Sequence, residues 1–182
     1  MESILADGTD SRKFLSMPDL FTLREHRDDD IEWVIKRHGE IYTEEYGWDH
    51  RFQDLVEVIA RDFIRDFNPE RERCWIAERQ GKRIGCVFLV RKSDDVAQLR
   101  LLLVEPSARG LGVGRRLVQE CIDFAIAHKY STMRLWTNDV LISARRIYEA
   151  AGFVLVEEER HSSWGKPLTS QTWELHLVKS QG

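Results

Sequence analysis

Val104-Glu105-Pro106-Ser107-Ala108-Arg109-Gly110-Leu111-Gly112-Val113-Gly114-Arg115-Arg116-Leu117 is the stretch that decides how this chain is read. Ahead of it, Ala97 to Val104 ends in a nearly continuous apolar run, Leu101-Leu102-Leu103-Val104, which predicts a central strand. Behind it, Leu117, Val118, Cys121, Ile122 and Ala125 recur at helical spacing. Glycines 110, 112 and 114 therefore sit between a strand and a helix. Glycine lets a backbone come close to a ligand in conformations other residues resist. The first turn of the following helix presents unpaired N–H groups to an anion. Arg109, Arg115 and Arg116 add positive charge. These are the parts of a pyrophosphate cradle; the alternative is a Gly-rich turn kept for packing alone. The Walker A pattern is absent, because no Gly-Lys-Ser/Thr follows. The dinucleotide pattern GxGxxG is absent too, and a hairpin before the strand is a poor Rossmann context.

Outward from the loop, the pattern predicts a mixed α/β chain. Residues 1–18 read as a flexible N-terminal tail and 19–182 as one domain. Phe21 to Arg24 alternates as a first short strand, and Asp28-Asp29-Asp30 opens a helix that Gly39 is expected to interrupt or end. Phe52, Leu55, Val56, Ile59, Phe63 and Ile64 trace one face of a second helix, closed by Asn68-Pro69. Cys74 to Glu78 and Arg83 to Val90 form a hairpin around Gln80-Gly81. Past the loop helix come a strand at Met133 to Trp136, a short helix at Ser143 to Ala150 stopped by Gly152, and strands at Phe153–Val156 and Thr172–Val178. The order is β-α-α-β-β-β-α-β-α-β-β. Trp33, Trp75, Trp136 and Trp173 are assigned to the core.

Composition bounds the function. The chain has 182 residues, 42% apolar and 32% charged, with six Trp and eight Phe, which excludes disorder over its length. No apolar run approaches the ~18 residues of a membrane-spanning helix. The first residues lack the charged start and apolar core of a signal peptide, so a cytoplasmic protein is expected. A net charge of −4 without a basic run argues against nucleic acid as partner. The three cysteines, Cys74, Cys86 and Cys121, are scattered in apolar segments and read as buried thiols. Six scattered His without ligand spacing predict no metal.

Arg109-Gly110-Leu111-Gly112-Val113-Gly114 resembles the R/Q-x-x-G-x-G/A signature of the GNAT family of N-acetyltransferases. Ala144-Arg145-Arg146-Ile147-Tyr148-Glu149-Ala150-Ala151-Gly152-Phe153 resembles that family's A-x-x-x-Y-x-x-x-G-F segment, and it follows in the right order. The resemblance covers roughly residues 20–178. Arg37-His38-Gly39, Glu45-Tyr46-Gly47-Trp48 and Arg100-Leu101-Leu102-Leu103-Val104-Glu105-Pro106 are similar to the acetyltransferase half of bacterial proteins that fuse a MarR-type regulator to this domain; with some 18 residues ahead of the domain, no winged-helix half is expected.

The resemblance implies a GNAT fold: a mixed central sheet of six or seven strands with helices on both faces. It implies transfer of an acetyl group from acetyl-CoA to a primary amine by direct attack, with no metal. Leu102, Leu103, Val104, Arg109, Gly110, Leu111, Gly112, Val113, Gly114 and Arg115 are the expected acetyl-CoA residues, with Asn138 and Tyr148 beside the pantetheine arm. Tyr148 is also the expected general acid for the departing thiolate. The base is open. Gln98 stands where some members place a Glu, and Glu45 and Glu105, with Glu44 and His38, are the alternatives. Leu141 stands where many members have Asn. Tyr42, Tyr46, Trp48 and Trp164 are expected to wall the acceptor site, with Glu44 and Glu45 drawing in a small or cationic amine. A protein Lys or N-terminal amine, and a catalytically idle acyl-CoA-binding regulatory module, are the competing readings. The state is expected to be monomer or homodimer, with no membrane partner.

Overall fold

The computed structural model describes residues 20–177, so the expected tail lies outside the described residues. Its elements are β1 (Thr22–Glu25), α1 (Asp30–Tyr46), α2 (His50–Asp66), β2 (Arg73–Arg79), β3 (Lys82–Arg91), β4 (Val96–Val104), α3 (Val113–Ala127), β5 (Thr132–Asn138), α4 (Ile142–Ala151), β6 (Val154–His161) and β7 (Leu168–His176). The seven strands form one sheet in the order β1-β2-β3-β4-β5-β7-β6. Only β4 and β5 run parallel; the other neighbours are antiparallel.

Period-two alternation decides which helices cover which face. Cys74, Ile76, Cys86 and Phe88 pack against α1 and α2. Trp75, Ala77, Val87 and Leu89 face the opposite side and pack against α3. Strand β3 is therefore buried on both faces, which is why Ile84 to Val90 reads as an unbroken apolar run. The β2–β3 turn has positive φ at Gln80 (51°) and Gly81 (72°), a primed hairpin turn. All three cysteines are buried free thiols.

Helix α1 does not break at Gly39, contrary to the sequence expectation. A Cβ at residue 39 would lie 1.9 Å from Gln53 Oε1, so this glycine is the place where α2 crosses closely. The helix stops at Gly47, in the left-handed region, with Gly47 N–H donating to Thr43 O. At the other end, Asp30 is fully buried. Its carboxylate accepts from Arg24 at 2.7 and 2.9 Å, from Arg83 Nε at 2.6 Å and from the Arg27 N–H at 2.6 Å. Three segments are thereby tied together. The last two strands are longer than the apolar pattern predicts, because the polar stretches Glu157–Arg160 and Thr169–Thr172 pair with each other.

Candidate active site

The site begins where two parallel strands part. Strand β4 pairs with β5 only from Val96 to Leu99. Beyond that, β5 keeps only β7, and β4 keeps only β3. A bulge in β4 marks the divergence: Leu101 has φ of 52° and the register with β3 slips between Cys86 and Phe88. The backbone of Leu101 to Val104 is left with an open edge toward the wedge. Two cavities fill this wedge. The larger, about 550 Å³, is walled by α1, α2, β4, β5 and α4. The smaller, about 410 Å³, lies over the loop at residues 109–115. Tyr42, Leu102, Leu141 and Ala144 line both, so the two chambers meet there.

In the smaller cavity the glycines divide their work. Gly110 and Gly112 both have φ of 80°, with open space where a Cβ would be. They shape the turn and leave room for a ligand. Gly114 is different: a Cβ there would meet Ile147 Cδ1 at 2.7 Å, so its role is the packing of α3 on α4. The N–H groups of Val113, Gly114 and Arg115 open α3 and have no backbone partner, while Arg116 N–H donates to Gly112 O. Arg109, Arg115 and Arg146 line the same cavity. Free N–H groups at a helix N-terminus, an unfilled glycine turn and three guanidinium groups fit a diphosphate. Of the residues expected to hold acetyl-CoA, Leu102, Leu103, Val104, Arg109, Gly110, Gly112, Val113, Gly114 and Arg115 line this cavity. Leu111 instead packs against the core beside α3, and Asn138 and Tyr148 face the larger chamber. Arg146 and Ser143 were not singled out from the sequence; their helical spacing with Ile147 was the available signal.

Tyr148 is buried in the wall of the larger cavity. Burial, and next the neighbouring Tyr42, push its phenol above the usual value, so it is held protonated. Asn138 is buried and accepts from His161 Nε2 at 2.7 Å, which places it as an anchor for the β6–β7 loop.

The expected bases have other partners. Glu105 takes Arg37 in a two-pronged ion pair at 2.7 and 2.7 Å and lines neither cavity. Glu45 pairs with Arg109 at 2.7 Å and lines the smaller cavity, not the larger one. Glu44 is exposed and lines neither. His38 lines the larger cavity. Its Nδ1 lies 2.8 Å from Val34 O, which fixes the proton there, and its buried Nε2 has no partner. Burial lowers its pKa to about 4, so the ring is neutral and Nε2 is a weakly basic acceptor.

The aromatic wall is only partly as expected. Tyr42 and Trp48 line the larger cavity, with Tyr42 stacked on His38 at 5.9 Å between centroids. Tyr46 lines the smaller one. Trp164 lines neither; it is buried behind Trp48, centroids 4.5 Å apart, as a backing residue. Trp136, assigned to the core from the sequence, is 45% exposed and lines the larger cavity. Glu44 and Glu45 are not in the lining of the larger cavity, whose charged residues are Lys92, Arg100 and Arg134 and which includes no carboxylate. No cluster of His, Cys, Asp or Glu suited to a metal occurs among the described residues, and no helix there is long and apolar enough to cross a membrane.

A sheet splayed between a helix-capped anion loop and a second chamber leaves room for a phosphorylated ligand on one side and a second molecule on the other. Residues 35–153 match the family model described as Acetyltransferase (GNAT) family, and the chain belongs to that family. It is 30% identical over 136 residues, 74% of this chain and 80% of the relative, to an uncharacterized N-acetyltransferase of Schizosaccharomyces pombe. It is 34% identical over 88 residues, 48% of this chain, to the N-acetylaspartate synthetase of Xenopus tropicalis, of whose length that match covers 32%. Among solved structures, yncA of Salmonella typhimurium with acetyl-CoA superposes with a TM-score of 0.70 at 17% identity, over 90% of this chain and 97% of that one. Spermidine N-acetyltransferase of Vibrio cholerae, with CoA and spermine, superposes with a TM-score of 0.68 at 19% identity, over 89% and 98%. The GNAT fold expected from the sequence is the fold observed.

Proposed function

We propose that this chain transfers an acetyl group from acetyl-CoA to the primary amine of a small acceptor. The observation that carries this reading is the pair of chambers meeting at Leu102 and Ala144, with a protonated Tyr148 in the wall. In this reading the loop N–H groups and Arg109, Arg115 and Arg146 hold the diphosphate. The open edge of β4 at Leu102 to Val104 pairs with the amide-bearing arm. A backbone N–H of the same edge polarises the thioester carbonyl. The amine nitrogen forms the new C–N bond, the C–S bond breaks, and Tyr148 supplies the proton that the thiolate takes. The amine gives up its own proton to water or to His38 Nε2.

No carboxylate is needed for that last step if the amine arrives uncharged. Positive charge from Lys92, Arg100 and Arg134 disfavours an ammonium in the same chamber and lowers the pKa of a bound amine. The same missing carboxylate, with Gln98 in the lining, supports the second reading, a catalytically idle acyl-CoA-binding module. The names of two relatives point to opposite acceptors, aspartate and spermidine. A cytoplasmic setting belongs to the same proposal. Kinship with the MarR-fused proteins rests on the sequence cues alone and adds nothing to it. Thiol release from acetyl-CoA, measured against amines, amino acids, polyamines and peptides, is the test. Amine-dependent turnover supports the transferase; binding of acetyl-CoA without turnover of any amine supports the idle module.

A further inference from the structure

The larger chamber has a charge that its own walls do not balance. Arg100 lies on β4 just before the bulge, half-buried, and lines this cavity. Its backbone pairs with β3, but its guanidinium has no hydrogen-bond or ion-pair partner among the described residues. Arg134, across the wedge on β5, is matched by Glu174 of the neighbouring strand at 3.3 Å. Lys92 stands exposed at the rim. The lining therefore holds three cations and no anion, and only one of the cations is answered by the protein. A guanidinium withdrawn from water without a counter-charge is destabilising. Desolvation is the one influence on Arg100 and it lowers its pKa, the reverse of the paired Arg24 and Arg37. A bound anion would remove that penalty. The remaining walls, Trp48, Phe52, Leu55, Ile59 and Trp136, are apolar or aromatic and suit the carbon frame of a small molecule.

We infer that the acceptor is an amino compound bearing a carboxylate, and that Arg100 receives this carboxylate and sets specificity. The guanidinium fork matches a carboxylate in two-pronged geometry. The inference rests on the acetyltransferase reading for its amine, and names the substrate class. It places the carboxylate at Arg100 and the amine toward Leu102, where the chambers meet. The same arrangement opposes a polyamine, whose several ammonium groups would meet Arg100, Arg134 and Lys92.

The test compares acceptors that differ only in that group: L-alanine with L-alaninamide, L-aspartate with its α-amide, and spermidine as the cationic extreme. Each is assayed with the wild type, Arg100→Gln and Arg100→Lys. In the wild type, carboxylate acceptors are expected to exceed the matched amides by at least about tenfold in kcat/KM, with spermidine poorest. Arg100→Gln is expected to raise KM for the carboxylate acceptor roughly 10–100-fold, to erase the acid-against-amide difference and to leave KM for acetyl-CoA unchanged. Arg100→Lys is expected to restore part of the preference. Amides or spermidine used as well as the acids, or a preference that survives Arg100→Gln, overturns the inference. If no acceptor is turned over, the transferase reading fails and calorimetry decides this one separately. Binding of aspartate or alanine that Arg100→Gln abolishes upholds it; no binding of any carboxylate overturns it.

Discussion

Glu45 at the end of α1 and Arg109 in the Gly-rich loop hold each other across the smaller cavity, both carboxylate oxygens within 2.7 and 2.9 Å of one guanidinium nitrogen. From the sequence these two residues had separate duties, a base and a phosphate ligand. In the structure they neutralise each other in the lining of the smaller cavity, where the diphosphate is proposed to bind. Both side chains are partly exposed, so the pair is worth at most about 1 kcal/mol and yields readily to a stronger anion.

Glu45→Gln is therefore expected to free Arg109 and tighten acetyl-CoA binding by roughly two- to fivefold at low salt, with the gain fading as salt screens it. Its kcat is expected to stay within about twofold of the wild type. A catalytic base would instead lose roughly 100-fold or more in kcat on the same substitution. Titration of CoA at two ionic strengths, beside steady-state kinetics, separates the two.

The loop glycines are expected to fail in different ways. Gly112→Ala strains a residue at φ of 80° in open space, so it weakens acetyl-CoA binding with a stability loss of about 1 kcal/mol. Gly114→Ala drives a methyl into Ile147 and is expected to cost about 1–3 kcal/mol of stability. Ile147→Val in the second background makes room and recovers part of it. Urea unfolding of the four proteins checks this; loss of equal size in Gly114→Ala with and without Ile147→Val contradicts the packing role.

Acid is expected to destabilise the fold in two stages. His38 titrates at about 4 when folded, against an ordinary value of 6.5. Between these values the unfolded chain takes up a proton that the folded chain refuses, so stability falls as pH drops from 6.5 toward 4, by about 3 kcal/mol in full. At Asp30, burial alone would raise the pKa, but Arg24, the Arg27 N–H and Arg83 outweigh it and hold it at about 2. Its stabilisation is present above the ordinary value of 3.8 and is lost as pH falls toward 2. Unfolding midpoints from pH 7 to pH 2 read both stages, and His38→Gln is expected to flatten the first alone.

The amine's protonation gives a further readout. With Lys92, Arg100 and Arg134 around the larger chamber, the acidic limb of kcat at saturating amine is expected below the solution pKa of the amine used. For L-alaninamide, which lacks the carboxylate, Arg100→Gln is expected to move that limb upward. A limb that stays at the same pH in the variant contradicts the electrostatic role of the cavity.

The element order was legible because each strand and helix carries a distinct period. Gly39 misled because glycine marks both helix ends and close crossings, and Gln53, which decides between them, is remote in sequence. Trp136 misled for a related reason. It alternates with buried Leu135 as a core strand would, but β4 leaves β5 at Leu99, so the residue opens onto a cavity. The loop and Tyr148 were legible as local motifs. The charge of the larger chamber was not, because Lys92, Arg100 and Arg134 come together only through the pairing of β3, β4 and β5. Glu105 was sought as a base because nothing in its own segment reveals that Arg37 occupies it.

The most direct measurement is the turnover of Tyr148→Phe beside the wild type, with acetylated product followed by mass at saturating acetyl-CoA. The phenol is expected to supply roughly 10²–10⁴-fold in rate, so kcat falls by that factor while acetyl-CoA still binds. A variant that acetylates its acceptor as fast as the wild type contradicts the role assigned to Tyr148 and, with it, the chemistry proposed for the junction of the two chambers.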